Sequence, residues 1–108
     1  MIFINYLKSV HIKFAEMPTT FSRYLIPQSV RETETVTMEC HLTKPLVQVT
    51  WLKDGSPMLS DYRVLVLDGL CSHKVVIAGP TMTDGGTYTC KYGDEITECN
   101  ITVEGKHF

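Results

Sequence analysis

Asp84-Gly85-Gly86-Thr87-Tyr88-Thr89-Cys90 is the stretch that decides the fold. Cys90 has a counterpart fifty positions upstream in Cys40, and Trp51 follows that first cysteine by eleven. Two cysteines so spaced, each inside an alternating apolar run with a tryptophan between them, describe strands of two sheets packed face to face. The cysteines then meet across the sheets and the indole packs on them. Tyr88, two residues before Cys90, is placed to turn its hydroxyl back onto the main chain and close a corner of the sandwich. Cys40, Trp51, Tyr88 and Cys90 are therefore read as the structural core.

Outward from this run the chain is a series of short β segments broken by turn residues, with helical content expected near zero. Residues 20–26 make a first strand, which Pro27 interrupts because a ladder needs the N–H that proline lacks. Gln28–Arg31 is then free to pair with the other sheet. Val36, Met38, Cys40 and Leu42 alternate with polar residues, as on a half-buried strand. Val47, Val49 and Trp51 repeat the pattern up to the Asp54-Gly55 turn. Residues 62–67, 74–78, 86–92 and 96–104 follow, giving seven or eight strands in a Greek-key arrangement.

The size agrees, since 108 residues fit one domain and 44% apolar residues suffice for its core. A net charge of −2 leaves no basic stripe, which argues against nucleic acid as a partner. No apolar run approaches the ~20 residues of a membrane helix. The first residues carry no basic segment followed by an apolar one, so they do not read as a secretory signal. Residues 1–17 are read as an N-terminal extension or linker. Phe3, Leu7, Val10 and Phe14 would line one face if this segment were helical. Residues 18–105 form the sandwich and 106–108 a short tail.

Arg63 and Asp84 are expected to form an ion pair across one end of the sandwich. Val64-Leu65-Val66-Leu67 is apolar at both parities, so one pair faces the core and Leu65 and Leu67 are left outside. A bare apolar edge of this kind is either covered by a neighbouring loop or used to dock a partner strand.

From about Thr20 to Glu104 the chain resembles an intermediate-set (I-set) immunoglobulin domain of the titin, obscurin and myosin-binding protein C group of sarcomeric proteins. The resemblance rests on Phe21, Leu25, 36–40, Trp51-Leu52-Lys53-Asp54-Gly55, Tyr62-Arg63, Val75 with Ile77, 84–90, and Ile101 with Val103. It implies an all-β, immunoglobulin-like two-sheet Greek-key sandwich without the extra strands of a variable domain. It departs from the pattern at Arg31-Glu32-Thr33-Glu34-Thr35, where the family often has a glycine. The implied role is non-catalytic: a structural and protein-interaction module of an intracellular, cytoplasmic striated-muscle protein at the Z-disc or M-band. Its partners would be other proteins and neighbouring immunoglobulin or fibronectin domains.

Four cysteines permit three full pairings. Cys40–Cys90 is favoured by geometry and, if oxidised, would stabilise by roughly 4 kcal/mol. In a reducing compartment both would remain small core hydrophobes. Cys71 and Cys99 are read as lying at one end of the sandwich, either as two free thiols or as a second pair. No Cys-x₂-Cys pair exists and His41 and His73 lack metal-ligand spacing, so no metal or other cofactor is expected. Asn100-Ile101-Thr102 is an N-glycosylation sequon, which supports the rival class, an extracellular adhesion or receptor domain. No nucleophile–base or paired-carboxylate constellation converges, and neither catalysis nor a small-molecule substrate is expected.

Overall fold

The structure, a computed structural model, describes residues 18–58 and 60–105. The helical stripe of Phe3, Leu7, Val10 and Phe14 lies outside the described residues. Among the described residues nine strands follow one another: β1 (Phe21–Arg23), β2 (Gln28–Arg31), β3 (Val36–Leu42), β4 (Thr50–Lys53), β5 (Ser56–Pro57), β6 (Val64–Asp68), β7 (Ser72–Ile77), β8 (Gly86–Tyr92) and β9 (Glu95–Glu104). A single 3₁₀ turn, Met82–Asp84, precedes β8.

The strands form two sheets, in the order β1-β3-β7-β6 and β2-β9-β8-β4-β5. Alternation sets which side chains go inward. Along β3, Val36, Met38, Cys40 and Leu42 are buried, and along β9 Thr97, Cys99, Ile101 and Val103 are buried between exposed neighbours. These two inner faces, with His73, Val75 and Ile77 of β7, Trp51, Tyr88 and Cys90, fill the space between the sheets.

Pro27 separates strands that belong to different sheets, β1 beside β3 and β2 beside β9. Between them Leu25 dips into the core, and its N–H donates to Thr97 Oγ1 on β9 at 3.0 Å. The chain thus crosses from one sheet to the other with the buried Leu25 N–H satisfied. β2 runs parallel to β9, Gln28 beside Ile101 and Arg31 beside Glu104. β1 begins beside Leu42, whereas β9 ends near Glu32, so the chain enters and leaves the sandwich at opposite ends.

β1 ends at Arg23 instead of residue 26 and β7 begins already at Ser72, and three further details differ from the sequence reading. β4 begins only at Thr50; Val47 and Val49 are half-buried against the core without joining a ladder. The turn intervenes at Leu46, which has φ 58° and donates its N–H to Leu70 O. β6 begins at Val64 instead of Tyr62, because Asp61 Oδ1 accepts the N–H groups of both Arg63 and Val64 and turns the chain there. Asp54 and Gly55 both have positive φ, as a tight hairpin loop requires, and fold the two-residue β5 back on β4.

Candidate functional site

The centre of the sandwich holds the residues that the spacing singled out. Cys40 and Cys90 are fully buried, and Trp51 lies beside Cys90 in the β4–β8 register. Across the sheets each thiol acts on the other: the neighbouring Cys90 holds the Cys40 thiol below its ordinary value, and Cys40 together with burial pushes Cys90 far above the usual thiol range. Tyr88 is buried and its hydroxyl donates to the main-chain oxygen of Asp84. Burial, then the nearby Asp84 and Asp54 carboxylates, push its phenol up to about 12.

Arg63 and Asp84 meet at one end. Arg63 Nη1 stands 3.1 Å from Asp84 Oδ2, and the same carboxylate oxygen accepts the Thr81 N–H at 2.8 Å. Burial alone would raise the Asp84 carboxyl. The Arg63 guanidinium and the Thr81 N–H outweigh it and hold the group below the ordinary carboxylate range.

Above this pair lies a cleft of about 330 Å³, whose lining includes Lys53, Met58, Asp61, Arg63, Asp84 and Tyr88. Its charges are engaged within the protein. Lys53 Nζ donates to Thr83 O at 2.6 Å, Arg63 binds Asp84, and Asp61 caps the start of β6.

The proposed nearness of Cys71 and Cys99 is overturned by the register. Cys99 lies opposite Tyr88, two residues from the Cys40–Cys90 level toward the Arg63–Asp84 end. Cys71 precedes β7 and accepts the Leu42 N–H, two residues beyond that level in the other direction. Four residues of strand separate them by about 13 Å along the sandwich, well past the ~7 Å Cα limit of a disulfide. All four cysteines are free, with Cys99 buried and pushed up to about 11 by that burial.

Leu65 and Leu67 are 52% and 48% exposed on β6, the outer strand of its sheet. Asn100 is exposed on β9, and Thr87 Oγ1 donates to its Oδ1 at 2.8 Å. Two groupings went unread in the sequence. Glu39 gathers His41 Nε2 at 2.6 Å, Arg23 at 3.6 Å and Lys74 at 3.7 Å on the outer face of the four-stranded sheet. The His41 hydrogen bond is the main cause that holds Glu39 below its ordinary value. His73 is buried beside Cys40 with Nδ1 2.7 Å from Asp68 Oδ1, while its Nε2 has no partner among the described residues. Its place was legible from the parity it shares with Val75 and Ile77. Among the described residues no three metal-ligating side chains converge.

These elements define a two-sheet module with a cysteine–tryptophan centre, a tyrosine corner and an ion pair that fastens one end. The chain belongs to the immunoglobulin I-set domain family, whose model matches residues 19–104. It is 36% identical over 76 residues to titin of Drosophila melanogaster, covering 69% of this chain and a share of titin that rounds to 0%. It is also 36% identical over 84 residues to the fast-type myosin-binding protein C of Gallus gallus, covering 73% of the chain and 7% of that protein. The muscle M-line assembly protein unc-89 of Caenorhabditis elegans is 32% identical over 91 residues, 78% of this chain and 1% of the relative. Domain I10 of titin superposes with a TM-score of 0.77 at 22% identity, over 81% of this chain and 99% of that domain. The match thus spans one module of much longer relatives, and the chain is homologous to the immunoglobulin domains of sarcomeric proteins.

Proposed function

We propose that this domain is a non-catalytic structural and protein-interaction module of an intracellular striated-muscle protein, set among neighbouring immunoglobulin or fibronectin domains in the sarcomere. The observation that carries the reading is the 36% identity to titin and to myosin-binding protein C over most of the sandwich. The topology suits the task. The N-terminal side of β2 and the C-terminal end of β9 lie at opposite ends of one parallel ladder, so tension along the chain loads those hydrogen bonds in shear, together instead of one at a time. A solved complex of titin M10 with an obscurin-like 1 immunoglobulin domain, matched with a TM-score of 0.74 at 20% identity over 85% of this chain and 98% of that one, supports protein partners for such modules.

The test is immunostaining of striated muscle with an antibody to the domain, beside Z-disc and M-band markers. Periodic bands are expected, and staining confined to the cell surface or matrix would overturn the reading. Asn100, exposed in the sequon Asn100-Ile101-Thr102, favours the extracellular alternative. Mass spectrometry of the native protein decides between them, since glycan on Asn100 belongs only to the secretory route.

A further inference from the structure

β6 has an open side. It pairs with β7 through Arg63 O, which accepts the Ala78 N–H, and the hairpin closes with Gly69 N–H on Ser72 O. Antiparallel ladders alternate, so Leu65 and Leu67 direct their peptide groups at β7 while those of Val64, Val66 and Asp68 point away from it. Val64 is satisfied: its N–H donates to Asp61 Oδ1, and its C=O accepts the Asp61 N–H. Val66 and Asp68 are left, their outward N–H and C=O without a partner among the described residues.

We infer that this edge pairs with the same edge of a second copy, antiparallel, about a two-fold axis at Leu67. That register sets Val66 against the partner copy's Asp68 on both sides of the axis. Four N–H···O=C bonds form, all from groups with no partner among the described residues of the single copy. Leu67 meets its own symmetry mate in the close, non-hydrogen-bonded position. Leu65 falls over the partner's Gly69, which has no side chain to obstruct it, and diagonal to its Leu67.

Charge permits the pairing. Asp68 is the one charged residue of β6 and stands opposite a valine. Lys74 lies beside Leu67 and is already held by Glu39. The two copies of Lys74 would be three strand spacings apart, about 14 Å, beyond the ~8 Å screening length of physiological salt. The contact is one strand wide, well under the ~1,200 Å² of a stable interface, so the association is weak and grows with local concentration. This deepens the interaction-module reading and rests on it.

Sedimentation velocity on the full chain, with reductant present and loading raised to the millimolar range, tests the pairing. The weight-average mass should rise above 12.2 kDa with concentration. Leu67→Lys should hold it at the monomer value. So should Val66→Pro, which removes an outward N–H without touching the β7 ladder. Ile96→Lys, a charge placed on an equally exposed apolar residue of β9, should leave dimerisation unchanged. A wild-type chain monomeric throughout, or a dimer that survives Leu67→Lys, would overturn the inference. A monomer that forms sarcomeric bands would sink the pairing alone and leave the module reading in place.

Discussion

The carboxylate of Asp54 occupies the space that a side chain on Gly86 would need. A Cβ at Gly86 would fall 2.7 Å from Asp54 Oδ2, while Asp54 Oδ1 accepts the Thr87 N–H at 2.9 Å. Gly86 also has φ 152°, a conformation that residues with a side chain rarely adopt. Gly86→Ala should therefore cost about 3 kcal/mol, from the strained backbone and the displaced carboxylate. Combined with Asp54→Ala the further loss should shrink to about 2 kcal/mol, since only the backbone strain remains. Urea unfolding of the two single variants and the double variant checks the cycle.

Thr33 marks a place where the chain can gain. It lies in the turn between β2 and β3, and it holds φ 74° although it is β-branched and exposed. Its N–H donates to Pro80 O, a bond that any residue but proline retains. Thr33→Gly should stabilise by about 1 kcal/mol, the released strain exceeding the added chain entropy. A thermal melt should show the midpoint about 5 °C higher; an unchanged or lower midpoint would mean that this turn stores no strain.

The Arg63–Asp84 pair makes stability depend on acid. Asp84 is held below the ordinary carboxylate value, so its ionised form contributes stability that is fully present above the unfolded value of about 4. That contribution is lost as pH falls through the folded value. Wild type and Asp84→Asn should differ most near neutrality and converge as the pH falls below the depressed folded value of Asp84. Parallel stability curves across that range would show that the pair contributes nothing through its charge.

Thiol accessibility follows from position. Cys71 is half-buried in a turn, whereas Cys40, Cys90 and Cys99 are enclosed between the sheets, with Cys99 pushed up to about 11. With the chain reduced, a thiol-reactive dye at pH 8 should label one cysteine quickly and the other three only on unfolding. Cys71→Ser should abolish the fast phase. A fast phase that survives this change would place an opening in the core.

Local pattern carried much of this structure. Alternation located β3 and the inner face of β9, and Pro27 announced the change of sheet. The spacing of Cys40, Trp51 and Cys90 located the centre, and Asp84 was legible because it opens the run that ends at Cys90. What escaped depended on long-range register. Cys71 and Cys99 looked adjacent until pairing with Leu42 and Tyr88 put them on opposite sides of the central layer. β5 is two residues long and includes a proline, so composition gave no sign of it. The Glu39 cluster joins residues from three strands, and neither periodicity nor spacing brings such residues together.

The crossing at Leu25 has one more effect. β1 borders one sheet beyond β3, and β2 borders the other beyond β9. A single run of about a dozen residues therefore seals a long ladder on each sheet, where an uncovered strand would template aggregation. A proteolytic cut that released this run would unmask two borders at once and take Phe21 and Leu25 out of the core. The first two short strands thus cap a longer ladder on each sheet.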